Sequence, residues 1–383
     1  MRRISISTIA AGLALMFMMS CSNNSNPTNN NNTGGDTIPT ANTAKLAVIT
    51  TASDYSSTNF DIMLSDGYTV SSNLIDQLHS DLSVRAFGSD VYIIERLGRD
   101  NIIKYDTKSM GVLYQQNLGA GLNLHDIAVV SETKAYVSAY EDNGLIIFNP
   151  SAGTKTSAID MSRFAAYAGT DSAEAVPFVS SLALYGNYLY AACQRLKVAD
   201  GPWGPAPEPG DTSIIAVIDT RSDEIVAEIK LNRKNPASMS IFGDKMLVSS
   251  TGSWFDITSG GVEMIDLSSN TNLGIIAEGE AFGGNVSSAV FVSAERAYIS
   301  VMQDDWTTGI VPFNPATGAI GAKIEGIGDG FGGLAYDGEK LYVGDRGYAE
   351  AGVAVIDPNT NTVERTVATG MPPSGLAVVS GKH

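Results

Sequence analysis

The sequence predicts an all-β fold: a seven-bladed β-propeller with four antiparallel strands per blade, closed where the C-terminal strand pairs with the N-terminal blade. Three observations lead there. A phrase of strand-forming residues, then Asp or Asn, then a turn, occurs six times: "NIIKYDTKSM", "GLIIFNPSAG", "IIAVIDTRSD", "GVEMIDLSSN", "GIVPFNPATG" and "GVAVIDPNTN". Two short apolar strands precede each copy and a further strand follows it, with turn residues between them and no convincing helical period. The spacing is regular, with 44 residues from Tyr92 to Tyr136 and 44 from Tyr298 to Tyr342. That is the length of a four-stranded propeller blade.

Residues 1–20, "MRRISISTIAAGLALMFMMS", read as an export signal: Arg2 and Arg3 precede an uncharged apolar run that ends at the small residue Ser20. The run is too short for a membrane-spanning helix, which takes about 20 apolar residues. "MMSC" resembles the lipobox of bacterial lipoproteins, with Met18 where Leu is usual. The resemblance implies lipid attachment at Cys21. Ser22, where Asp would hold the protein back, implies an outer-membrane anchor facing the periplasm or the cell surface. Residues 21–44 continue as an Asn-, Thr-, Gly- and Pro-rich segment that cannot bury enough surface to fold. It reads as a flexible tether with a reach of about 25 Å.

Residues 45–383 form the propeller. Six full blades are visible, and the two ends supply a seventh. "SGLAVVSGKH" is a first strand with no blade after it, and "KLAVITT" is a second strand with nothing before it. Joining 376–379 to 46–50 completes that blade and removes an exposed sheet edge. The protein is expected to be monomeric. Strands apolar on both faces, such as Val353 to Ile356, suit blades sandwiched between neighbours. With Cys21 committed to lipid, Cys193 in "YLYAACQ" is the second of two Cys, so no disulfide forms within the chain. Cys193 reads as a small buried hydrophobe, the alternative being a reactive thiol.

The stretch "AVIDPNTNTVERTVATGMPPSGLAV", from Ala354 to Val378, resembles the YVTN-type β-propeller repeat of seven-bladed exported proteins, the YncE-like group among them. The family pattern is a hydrophobic triplet, Asp, a turn with Thr-Asn, a strand, then Gly, Pro and Gly-Leu-Ala. "IIAVIDTRSDEIVAEIKLNRKNPAS" follows it less closely, and the other copies are degenerate. The resemblance implies the fold. Its members range from binding proteins to lactonases, so it does not choose a function.

The repeated acids Asp106, Asp219, Asp266 and Asp357 read as turn fasteners, because Asp or Asn at the first position of a tight turn caps backbone N–H groups. Asn149 and Asn314 take the same place, an exchange that a general base would not tolerate. Metal, haem-attachment, nucleotide and nucleophile-elbow motifs are absent. Gly328, Gly330 and Gly333 spell G-x-G-x-x-G, but a strand follows rather than a helix, so they read as an inter-blade turn. Of three His, His79 and His383 fall in a loop and at the end. His125 begins an inner strand near the channel, as a metal ligand, a base or a hydrogen-bonded channel residue.

The chain carries 24 Lys plus Arg against 41 Asp plus Glu, a net charge of −17. This excludes nucleic acid as a partner. It suits cations or basic partners, or serves solubility alone. The loops between second and third strands share one face with the links between blades. They hold all three Trp, at Trp203, Trp254 and Trp306. The candidate binding face further comprises Arg96, Asp100, His125, Glu141, Asp142, Arg195, Asp256, Asp304, Asp305, Asp345 and Arg346. Aromatics and Arg on loops over a rigid scaffold make recognition surfaces, unless each Trp packs under its own loop. No cofactor is expected, though carboxylates could hold a divalent cation such as calcium.

These observations point first to a non-enzymatic, lipid-anchored binding or scaffold protein, with an envelope protein, glycan or small ligand as partner. The alternative is a metal-assisted, lactonase-like hydrolase or lyase in the funnel, using His125 with Glu141, Asp304 or Asp345. A third reading is a docking platform for periplasmic electron transfer.

Overall fold

The computed structural model describes residues 43–168, 175–201, 204–347 and 351–379. The expected export signal, Cys21 and nearly all of the tether lie outside the described residues, as do Trp203 and His383. Among the described residues no helix is long and apolar enough to cross a membrane.

Seven antiparallel sheets follow one another along the chain. Blade 1 combines Pro373–Val378 with Ala44–Thr51, Thr58–Leu64 and Val70–Ile75, from the centre outwards. Blade 2 is Leu82–Phe87, Asp90–Glu95, Asn101–Asp106 and Gly111–Asn117. Blade 3 is Leu124–Ser131, Lys134–Ala139, Gly144–Asn149 and Thr154–Asp160. Blade 4 is Val179–Tyr185, Tyr188–Cys193, Ile214–Asp219 and Glu224–Lys230. Blade 5 is Pro236–Phe242, Lys245–Ser250, Gly261–Asp266 and Thr271–Glu278. Blade 6 holds Asn285–Ser293, Arg296–Met302 and Thr308–Phe313. Blade 7 is Leu334–Tyr336, Leu341–Asp345, Gly352–Asp357 and Thr362–Ala368. The innermost strands pack on each other in turn all round the ring, with Leu334–Tyr336 meeting Pro373–Val378.

The expected closure is present. Leu46 pairs with Val378, Ala47 with Ala377, Val48 with Leu376, Ile49 with Gly375 and Thr50 with Pro373. An ion pair of 2.6 Å between Lys45 and Asp337 ties the same blade to blade 7.

Blade 6 shows why its outer strand is frayed. Its fourth segment, 319–324, follows Thr308–Phe313 through one bridge at Ile320 and through Gly321 N–H to Pro312 O (2.8 Å) and Ile324 N–H to Ile310 O (2.9 Å). Pro312 has no N–H to donate, which removes a rung from the ladder.

Each strand of a blade divides its side chains between two neighbours. Val353 and Val355 join the cluster shared with blade 1, while Ala354 and Ile356 join the one shared with blade 6. The same alternation sends Val91 and Ile93 to blade 1 and Tyr92 and Ile94 to blade 3. The core is therefore seven inter-blade layers, with a small satellite of Tyr140, Val176, Phe178 and Leu196 on the loop face. Cys193 is fully buried between blades 3 and 4, and burial pushes its thiol up to about 12, so it is the small hydrophobe expected.

All six repeated turns use their acid or amide as expected. Asp106 accepts from the N–H groups of Lys108 and Ser109, Asn149 from Ser151 and Ala152, and Asp219 from Arg221. Asp266 accepts from Ser268 and Ser269, Asn314 from Ala316 and Thr317, and Asp357 from Asn359. Four positions on, the backbone is left-handed at Met110, Gly153, Asp223, Asn270, Gly318 and Asn361. That geometry explains the Asn, Asp and Gly found there.

The turn also locks blades together. Tyr190 donates to Asn270 Oδ1 (2.7 Å) and Tyr298 to Asn361 Oδ1 (2.6 Å), each on the turn of the next blade. Tyr136 donates to Asp223 in the same way. We expect Asp357→Asn to leave stability within about 0.5 kcal/mol of the parent and Asp357→Ala to cost about 1 kcal/mol, as read from denaturant midpoints.

Candidate functional site

The loop face is built by two-way clamping of loops and blade links. Asp345 is almost fully buried and accepts from the N–H groups of Gly328 (3.0 Å), Asp329 (2.8 Å) and Gly347 (2.9 Å), which fixes the link from blade 6 to blade 7. Asp100, fully buried, accepts from Gly121 (2.9 Å) and Leu122 (3.3 Å) in the link from blade 2 to blade 3. These two residues, expected at a binding face or around a metal, are fasteners instead. Their lone pairs are occupied by backbone donors that have no other partner in a link.

Two further clamps escaped sequence reasoning. Glu95 accepts from His79 N–H (2.8 Å), and Glu263 accepts from Asn232 N–H (2.8 Å) and Arg233 N–H (2.5 Å). The available signal was an acid inside an otherwise apolar strand, as in "GVEMID". Asp126 in an inner strand was missed for the same reason. It is buried, pairs with Arg85 of blade 2 (2.7 Å) and accepts from Leu182 N–H of blade 4 (2.9 Å), so one carboxylate joins three blades.

Arg195 also proves structural. Its guanidinium donates to the Phe164 carbonyl (3.0 Å) and the Thr212 carbonyl (2.7 Å), pinning the link that follows blade 3 to the base of the hairpin Leu196–Gly201 and Gly204–Pro209. Asp142 caps Gly144 N–H (2.6 Å), Asp256 caps Thr258 N–H (3.0 Å) and Asp305 caps Thr307 N–H (3.0 Å). Asp304 is exposed.

Over blades 2 to 4 the structure brings His125, Tyr140, Glu141 and Arg96 to one quarter of the face. The His125 imidazole lies flat on the Tyr140 ring, 3.9 Å between centroids and 3° between planes, and Phe178 meets Tyr140 edge-on at 5.2 Å. Tyr140 donates to Gln194 Oε1 (2.5 Å), and Gln194 donates to the Pro236 carbonyl (3.0 Å). Arg96 pairs with Asp81 at 2.8 Å. The expectation of a hydrogen-bonded His125 is corrected: its ring stacks and makes no hydrogen bond with the described residues.

Burial, with the nearby Arg96 cation, holds the His125 imidazole well below its ordinary pKa, so it is neutral at pH 7. Burial raises the Glu141 carboxyl, opposed by the Asn123 amide that donates to it at 3.1 Å. Among the described residues no three His, Cys, Asp or Glu stand together as a metal site.

Over blades 5, 6, 7 and 1 the face is aromatic. Trp254 is 38% exposed, Phe331 54% and Trp306 62%. Trp306 owes its presentation to a tight loop, in which Gln303 N–H donates to Thr307 O (2.9 Å) and Trp306 N–H to Gln303 O (3.0 Å). The Trp306 backbone is left-handed at φ 67°, a strained state for a bulky residue. Arg346 sits between two rings, 5.8 Å from Tyr55 and 5.4 Å from Phe331. Tyr55 and Phe331 were not expected, because neither stands out from its loop in the sequence.

No protein-family model matches the chain, and no curated protein matches it. Solved structures do. Kuenenia stuttgartiensis hydrazine synthase superposes with a TM-score of 0.59 at 16% identity, over 78% of this chain and 89% of that one. Dihydro-heme d1 dehydrogenase NirN in complex with DHE gives 0.55 at 16%, over 99% and 82%. Apo AztD from Citrobacter koseri gives 0.52 at 12%, over 89% and 100%. At these identities the likeness concerns the fold, and the chain is a seven-bladed β-propeller.

Two measurements check this assignment of roles. Asp345→Ala strands three backbone donors and should cost about 2–3 kcal/mol in denaturant unfolding, whereas Asp304→Ala should be silent. For His125, the unfolded chain takes up a proton as pH falls below about 6.5 while the folded protein does not. The stability this residue contributes is complete above that pH and is lost below it, so His125→Gln should flatten the fall in melting temperature between about pH 7 and pH 5.

Proposed function

We propose that the chain is a lipid-anchored cell-envelope propeller of the YVTN-type, YncE-like group. It acts as a non-enzymatic binding or scaffold protein through its loop face. The observation that carries this reading is the division of labour on that face. Asp100, Arg195 and Asp345 are consumed by backbone groups, while Trp254, Trp306, Phe331 and Arg346 form the outward surface. Exposed aromatics with one stacked guanidinium are the residues that dominate recognition surfaces. The partner is an envelope protein, a glycan or a small ligand, and no cofactor is needed.

The experiment is affinity capture from envelope extracts, together with a glycan array, using the parent and a Trp254→Ala, Trp306→Ala double variant of unchanged melting temperature. We expect the variant to lose the specific partner or to bind it at least about tenfold more weakly. Identical partner lists and affinities would remove the loop face from the proposal.

The metal-assisted hydrolase or lyase reading now rests on His125 and Glu141, whose protonation is displaced from ordinary values. Metal analysis of the purified protein and lactone assays with and without chelator decide it.

A further inference from the structure

The turns between third and fourth strands are filled in against the preceding blade at six of the seven interfaces. Tyr136, Tyr190 and Tyr298 do this for blades 4, 5 and 7, each directing its hydroxyl to the turn. Tyr114 and Lys104 donate to the Pro150 carbonyl of blade 3 (2.9 and 3.5 Å), and Arg365 donates to the Gly67 carbonyl of blade 1 (3.0 Å). At blade 2, Tyr105 and Met110 pack against Phe60 and Ala47.

The interface between blades 5 and 6 departs from the pattern on both sides. The second-strand position that carries tyrosine in blades 2, 3, 4, 6 and 7 is Leu247 in blade 5. The turn position that supplies the side-chain acceptor in blades 4, 5 and 7 is Gly318, where a Cβ would lie 2.5 Å from the Ile276 carbonyl. A groove of about 640 Å³ lies here. It starts at Met264, the cross-strand partner of Leu247, passes Phe291 and ends at Pro315 on the turn. Leu273 and Ile275, 56% and 38% exposed, form its outer wall. The Pro315 carbonyl corresponds to the Thr220, Leu267 and Pro358 carbonyls that face tyrosine hydroxyls at other interfaces. It accepts no hydrogen bond from the described residues.

We propose that this groove is a binding site for a small, neutral phenolic ligand. The ligand's ring takes the place that tyrosine fills at the other interfaces, and its hydroxyl donates to the Pro315 carbonyl. Apolar and aromatic walls with one fixed polar group are the usual composition of small-molecule sites, and a volume of this order admits a fused or substituted ring. Lys245, at the groove's edge, is held by Asp244 (2.9 Å) and Asp266 (3.1 Å). Its charge is already matched, which favours a neutral ligand over a carboxylate. The groove lies with the strand turns, at the end of the blades away from the Trp-bearing loops, so it stands independently of the function proposed above.

The test is a fluorescence titration of the whole protein with 2-naphthol, with 2-methoxynaphthalene as the matched probe that lacks a donor. We expect one site for 2-naphthol, and binding of the methoxy compound about three- to tenfold weaker. Leu247→Tyr, which supplies the missing ring, should weaken 2-naphthol at least about tenfold. So should Leu273→Lys with Ile275→Lys, which changes only the exposed wall and keeps the fold intact. Absence of 2-naphthol binding to the parent overturns the proposal. So does equal affinity for the two probes, or unchanged affinity in the wall variant. If Leu247→Tyr does not fold, the wall variant decides alone.

Discussion

A blade of this ring has apolar side chains on both faces, so it is stable only between two others. The constraint that everything else depends on is therefore closure. The five residue pairs from Leu46–Val378 to Thr50–Pro373 put the two ends of the described chain into one sheet, blade 1, and Lys45–Asp337 braces that sheet against blade 7. Without that strand, blades 1 and 7 would lose part of the layer formed by Val48, Tyr342, Val355 and Leu376. A closed ring has no free inner edge. This is what makes the loop face rigid enough to hold side chains such as Trp306 in a strained backbone.

The electrostatics follow from the same architecture. Links between blades cross the loop face outside the seven blade sheets, so their N–H groups need acceptors. Glu95, Asp100, Glu263 and Asp345 supply them from strands and loops. On the opposite face the turn acids do the same for their own turns. A large part of the carboxylate excess is thus internal hardware, and counting acids on a face says little about what the face binds.

The turns, the strand order and the closure were legible in the sequence because each is a local pattern repeated at constant spacing. The clamps were not. Asp100 bonds to Gly121 and Leu122, and Glu263 to Asn232, partners that only the folded ring brings together. Asp126 looks like any polar residue in "HDIAVV" until Arg85 and Leu182 are seen on either side of it. The groove lies between these cases. Leu247 and Gly318 are visible as departures from the repeat, but that both belong to one interface emerges only when blades 5 and 6 are set side by side. Of the candidate face, Trp254 and Trp306 are exposed on their loops, whereas Asp100, Arg195 and Asp345 are engaged by backbone partners that the sequence does not reveal.

The division of blade 1 between the chain's two ends has a consequence for the order of events during synthesis. Ala44–Thr51, Thr58–Leu64 and Val70–Ile75 leave the ribosome early, but the strand that completes their sheet begins at Pro373, 298 residues after Ile75. Until then the growing array is open at its inner edge and presents two unsatisfied apolar layers. Such non-local pairing is slow and leaves surfaces prone to association. The native ring therefore cannot close before Pro373–Val378 has been made, and until then blade 1 waits for its innermost strand.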